Sequence, residues 1–338
     1  MNKKRVLAML LAGAMALSMT ACGGNSASTD DSSNDGGASA SGGSYKVSVI
    51  LNTLAAEYWQ YVKSGAEDYA SEHSDKVTVE VKGPSSETAF DEMQNMIETD
   101  LSSGSYDGVI ISPLQSDTAA QLVSGTKLPI VAIDTNFTAP EVKSFVGTGN
   151  EAAAKKGGEA AVEAAKAAGW TDIKCIEIAG VQGDQTNTAR MNGYKAGVEE
   201  AGGTFLSDEV QYADATADRA TTAMEAIMQT HPEGIAIICA NNDDMAMAAA
   251  RAAQGHDAYK NTIFIGFNGD RAACEAILAG QMTMSVAQMA YEMGYKAVET
   301  MVQVLDGETV DEFVDSGSDV VTPDNAQERL DTLKTQLH

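Results

Sequence analysis

Residues 234–254 read GIAIICANNDDMAMAAARAAQ. An unbroken apolar run ends in four polar residues, Asn241 to Asp244, and an alanine-rich stretch with helical spacing follows. A run that is apolar on both faces, rather than alternating, is what a parallel strand covered by helices on either side requires. Asp243 or Asp244 suits the helix start, where a carboxylate meets free backbone N–H groups and the positive end of the helix dipole. That leaves Asn242 at the carboxyl tip of the strand, its amide free to donate and accept. Met245 and Met247 read as core and rim packing.

The same unit recurs in both directions along the chain. KVSVILN (46–52) precedes a helix over 57–73, and KVTVEVKGP (76–84) precedes one over 88–103. DGVIISP (107–113), LPIVAID (128–134) and KSFVGT (143–148) follow. A second series opens with a helix closed by Gly169. It continues through IKCIEIAG (173–180), helices over 188–201, 219–230 and 243–254, TIFIGFN (262–268) and QMTMSVAQ (281–288). Repeated strand–helix alternation of this kind predicts an α/β protein with doubly wound parallel sheets. The length after the first 44 residues exceeds what one core comfortably serves, so two lobes are expected. In such sheets ligands lie beyond the carboxyl ends of the strands. Asn52, Pro84, Pro113, Asp134, Gln182, Asp214, Asn242, Asn268 and Gln288 stand at those ends, and most are polar and planar.

The N-terminus reads as an address. Lys3, Lys4 and Arg5 precede VLAMLLAGAMALSM (6–19), and small residues lead to Cys22. A basic patch, a short apolar run and a small-residue cleavage site make a secretory signal over 1–21. Cys22 sits where a lipobox places its lipid-modified cysteine, although Met19 replaces the usual Leu. Residues 23–44 are Gly, Ser, Ala, Asn and Asp apart from Thr29, with nothing large and apolar to bury, so 22–44 reads as a flexible tether. An acyl chain on Cys22 would hold the protein at the outer face of the membrane through its N-terminus alone. No later segment is long and apolar enough to cross a bilayer.

The chain carries a net charge of −26, and −29 once Lys3, Lys4 and Arg5 leave with the signal. Such a field repels nucleic acid and anionic lipid. Cys175, Cys239 and Cys274 lack disulfide or zinc spacing and are expected as buried thiols. The four histidines are scattered, so no metal site is expected. No GxSxG elbow or phosphate loop is present. GTGNEA (147–152) matches a dinucleotide fingerprint in form, but it lies mid-chain and lacks the acidic strand end that should follow. It reads as a small-residue crossover between lobes. Neither catalysis nor a cofactor is expected.

NTLAAEYWQYVKSGAED (52–68), DGVIISPLQSD (107–117), LPIVAIDTN (128–136), NTARMNGYKAGVEEAG (187–202), ICANNDDMAMAAARAA (238–253), IFIGFNGD (263–270) and AGQMTMSVAQ (279–288) occur in this order from residue 45 onward. In order and spacing they resemble the periplasmic-type sugar-binding proteins of ABC importers, in the ribose, allose and galactose class. The resemblance implies two Rossmann-like lobes joined by three hinge strands, with lobe boundaries of 45–147 plus 289–317 and 148–288 plus 318–338. It implies a monomer that captures one monosaccharide and delivers it to a permease with its ATPase. A receptor that reports a sugar or a furanose-like autoinducer to a sensor stays open as the alternative.

The resemblance also implies site residues. Asn52, Tyr58 and Trp59 match the polar exit and paired aromatics of the first motif. Glu57 stands in place of part of the usual Asn-Pro, either as an acceptor for a hydroxyl or as a helix-start carboxylate. Asp134, Arg190, Asn242 and Gln288 match sugar-binding or hinge positions. Asn268 replaces the usual aspartate, and Thr135 replaces an arginine frequent in ribose binders. YADATADR (212–219) is longer than its counterpart, and Tyr212 or Asp214 are candidate lining residues. A sugar offers C–H groups on its ring faces and hydroxyls around its edge. Aromatic faces meet the first, and planar amide, carboxylate and guanidinium groups meet the second. Tyr58 and Trp59 are accordingly expected as the stacking floor of a cleft, with Tyr61 in lobe packing.

Overall fold

The computed structural model describes residues 44–337. The signal, Cys22 and the tether up to residue 43 lie outside the described residues. The first series of elements is β1 (Tyr45–Ile50), α1 (Glu57–Glu72), β2 (Val77–Lys82), α2 (Phe90–Ser103), β3 (Gly108–Ile111), α3 (Ser116–Val123), β4 (Ile130–Ile133) and β5 (Val142–Gly147). The second begins with α4 (Asn150–Ala167), β6 (Lys174–Ala179), α5 (Gln185–Glu200), β7 (Thr204–Phe205), β8 (Gln211–Tyr212) and α6 (Ala217–Thr230). It continues with β9 (Ile237–Ala240), α7 (Asp243–Ala253), β10 (Ile263–Asn268), α8 (Arg271–Leu278) and β11 (Met284–Gln288). The chain closes with α9 (Ala290–Leu305), β12 (Phe313–Asp315), β13 (Ser318–Val321) and α10 (Ala326–Thr335).

These strands form two sheets, in the orders β12-β5-β4-β3-β1-β2 and β13-β11-β10-β9-β6-β7, with β8 beside β6. Pairing is parallel throughout except between β11 and β13. Central strands such as β3, β4 and β9 are buried at every residue, as their continuous apolar sequences require. The chain passes between the sheets three times: after β5, after β11, and between β12 and β13. Each half is thus a doubly wound lobe, and the three passages form the hinge. GTGNEA spans the first passage.

Helix α5 starts three residues before its expected position because Asp184 caps it, accepting from the Asn187 N–H at 2.7 Å. Helix α9 returns from the second lobe to pack along α1. Here two glycines set the spacing: a Cβ on Gly294 would collide with the Val62 carbonyl, and one on Gly65 with the Tyr291 carbonyl. Backbone cannot yield as a flexible side chain does, so overpacking is costly here. Gly294→Ala is expected to destabilise the protein by about 1–3 kcal/mol, read as a lowered urea midpoint. An unchanged midpoint would show that the two helices separate freely.

Candidate functional site

The carboxyl ends of both sheets face one cleft, and the chemistry there begins with backbone. Asp134, directly after β4, has φ 60°, and Asn268, at the end of β10, has φ 135°. Left-handed backbone at non-glycine residues is costly and collects where side chains must be aimed. Gly269, with φ 65°, completes the second turn. Its N–H donates to Asp243 Oδ2 at 2.8 Å and to Ser285 Oγ at 3.0 Å, and Ser285 Oγ donates to Asp243 Oδ1 at 2.6 Å. Asp243 therefore braces the turn that carries Asn268. Burial, and the nearby Asp270 carboxyl, push the Asp243 carboxyl above its ordinary range.

From the first lobe, Tyr58 donates its hydroxyl to Asp134 Oδ1 at 2.6 Å, and Thr135 Oγ1 donates to Asp134 Oδ2 at 3.2 Å. Burial raises the Asp134 pKa, while these two donors and the Arg190 guanidinium oppose the rise. Asn52 Oδ1 is buried with no hydrogen-bond partner among the described residues. An orphaned buried acceptor of this kind calls for a donor from outside the chain.

From the second lobe comes Arg190, only 8% exposed. Its Nε–H donates to Asn150 Oδ1 at 2.8 Å and an Nη1–H to the Asn241 carbonyl at 2.9 Å. Its guanidinium lies 3.8 Å from the centre of the Phe267 ring, a cation–π contact. Two of five N–H donors are thereby used. Arg190 and Asp134, on opposite lobes, each stabilise the other's charge. At the hinge, Thr148 Oγ1 donates to Gln288 Oε1 at 2.9 Å, and Gln288 Nε2 donates to Asn268 Oδ1 at 2.9 Å. A hinge residue is thus wired to a cleft residue.

Three expectations are corrected. Tyr58 and Trp59 do not form a common floor: their rings stand at 87° with centroids 5.1 Å apart. Both lie inside α1, where successive side chains diverge by about 100°. Trp59 is 4% exposed and donates its indole N–H to Glu87 Oε1 at 2.9 Å. The second correction is Asn242, which caps α7 itself, accepting from the Met245 N–H at 2.9 Å and donating to the Ala215 carbonyl at 3.1 Å. One donor and one acceptor direction remain to it. Asp243, expected as a possible cap, is buried in the brace described above. The third concerns Glu57: it stands in the first turn of α1, as the helix-start alternative has it, but Oε1 is taken up within the protein rather than left open to a hydroxyl of a ligand. Oε1 accepts from the Tyr61 hydroxyl at 2.7 Å and pairs with Arg271 Nε at 2.8 Å, an ion pair that crosses the cleft.

Tyr212 is exposed, and Asp214 pairs with Arg219 on the surface. Sequence reasoning missed Asn150 and Asn241, which hold Arg190, and Arg329. The last donates to the Gln288 carbonyl at 2.8 Å and the Gly269 carbonyl at 3.2 Å. Asn150 had a signal, its place directly beyond the first hinge passage; Arg329 had none.

Residues 47–309 match the family model described as the periplasmic binding protein domain. The chain belongs to that family. Relatives of this periplasmic-type binding protein include the ribose import binding protein of Escherichia coli, 27% identical over 268 residues and covering 78% of this chain and 86% of that one. The D-allose-binding periplasmic protein of the same organism is 29% identical over 265 residues, covering 75% and 83%. Among solved structures, an ABC transporter solute-binding protein from Mycobacterium smegmatis with bound glycerol is 25% identical. It superposes with a TM-score of 0.69, covering 85% of this chain and 96% of that one. A periplasmic ribose ABC transporter protein from Conexibacter woesei shares the fold with a TM-score of 0.75 at 20% identity, covering 89% and 100%. The family is one of solute-binding proteins rather than enzymes.

Proposed function

We propose that this chain is the extracytoplasmic receptor of an ABC importer, and that it closes its lobes over a sugar and presents it to a membrane permease and ATPase. The observation that carries this reading is the meeting, across one cleft, of the Asp134 carboxylate and the three unspent donors of Arg190, each holding the other's charge. A carboxylate, a guanidinium and amides around a cleft suit the neighbouring hydroxyls of a monosaccharide ring. Names of relatives point the same way, toward ribose and allose. Contacts from both lobes bind the closed state better than the open one, and that difference drives closure. Gln288, bonded to Asn268, couples the hinge to the occupied cleft. The lobes are assigned as 45–147 plus 289–317 and 148–288 plus 318–338. The protein acts as a monomer.

A thermal-shift panel of monosaccharides and polyols against the full-length chain tests the reading. A ligand that binds only the native state raises the melting temperature. At least one member is expected to do so, with calorimetric binding to match; no response across the panel, and none to disaccharides either, overturns it. The lipid anchor at Cys22 is tested separately. Cells fed a clickable fatty acid are expected to label the chain, and Cys22→Ser to abolish both the label and membrane retention.

A further inference from the structure

We propose that the captured sugar carries a second, neutral glycosyl unit, seated in the groove beside Thr135; this rests on the sugar-receptor reading above. The groove is a cavity of about 620 Å³ that begins at Asp134 and runs between the lobes, past Thr135 and Asn136 on one side and Asn150 and Thr186 on the other. It holds roughly twenty waters at about 30 Å³ each, more than a single hexose ring fills. The lobes already touch across the cleft through Glu57 and Arg271 at 2.8 Å, so the space remains with that contact made.

Its walls repeat the chemistry of a sugar site. Asn136 and Thr186 offer an amide and a hydroxyl with no internal side-chain partner among the described residues. Phe145 and Phe313 stack at 28° with centroids 5.5 Å apart, and Phe313 is 44% exposed. An aromatic surface beside amides and hydroxyls matches a pyranose face and edge. Thr135 folds its hydroxyl back onto Asp134 Oδ2 rather than across the opening, so the groove stays continuous with the carboxylate. Glu151 and Asp184 also line it, and with Asp134 they repel a phosphate or carboxylate substituent. These carboxylates exclude an anionic saccharide, and the unit proposed is an uncharged one.

The test is calorimetric titration of the full-length chain with D-galactose, D-glucose, D-xylose and D-ribose, and with lactose, melibiose, trehalose and xylobiose. At least one disaccharide is expected to bind ten-fold or more tightly than its component sugars. Phe313→Ala and Thr186→Leu should each remove that gain while leaving monosaccharide affinity unchanged. If monosaccharides bind and no disaccharide improves on them, or if the gain survives both substitutions, the groove is not a sugar subsite, and the receptor reading stands. If neither class binds, the receptor reading fails, and this inference with it.

Discussion

Arg190→Ala is expected to weaken sugar binding by about 2–4 kcal/mol, roughly 30- to 1,000-fold. Three contacts hold the guanidinium before any ligand arrives: Asn150, the Asn241 carbonyl and the face of Phe267. The ordering entropy of a long side chain is therefore already spent, and the remaining donors meet the sugar pre-aimed. Alanine removes those donors and also takes the counter-charge away from Asp134, whose carboxyl burial already disfavours. Arg190→Lys keeps the charge without the fork and is expected to fall between the two. Isothermal calorimetry with the best sugar of the panel measures the loss, with circular dichroism to verify folding. Affinity within a factor of three of the parent in a folded Arg190→Ala would remove Arg190 from the binding site.

A second large effect is expected at Glu177, in the middle of β6. It is fully buried, and neither carboxyl oxygen has a hydrogen-bond partner among the described residues. Burial pushes its pKa up to about 8, with the Arg190 charge pulling weakly the other way. In the unfolded chain the same group titrates near 4.3. Between those values the native state holds a proton that the unfolded state has released. Its contribution to stability is complete below the unfolded pKa and is lost as pH rises toward 8, at up to about 1.4 kcal/mol per unit. Glu177→Gln has no proton to lose. Relative to the parent it is expected to gain about 2–4 kcal/mol between pH 5 and pH 8, measured by urea unfolding at several pH values. Asp243 and Asp270, also raised by burial, slope the same way in both proteins, so the difference isolates Glu177. Parallel pH profiles would show that the carboxyl is hydrated or paired in solution.

The architecture was legible because it rests on local patterns. Apolar runs such as IAIICA, each closed by a polar residue and followed by a helix, identify the parallel sheets and place Asp134, Asn268 and Gln288 at strand exits. What sequence does not carry is partnership through space. Asn242 and Asp243 are adjacent, and only the fold determines that the first caps α7 while the second braces a turn on β10. Trp59 was misread because its partner, Glu87, comes from the loop before α2. Glu57 stands at the helix start as one of its two readings had it, but its partner Arg271 comes from the other lobe and was not legible.

The route of the chain has a consequence for biogenesis. Five of the six strands of the first sheet have emerged by Gly147, yet the helix that covers α1 begins only at Ala290. During synthesis, the glycine-faced side of α1 stays bare until the whole second half has been made. Pairing elements so far apart in sequence slows folding. A polypeptide wired in this way closes its first lobe only as its last seventh leaves the ribosome.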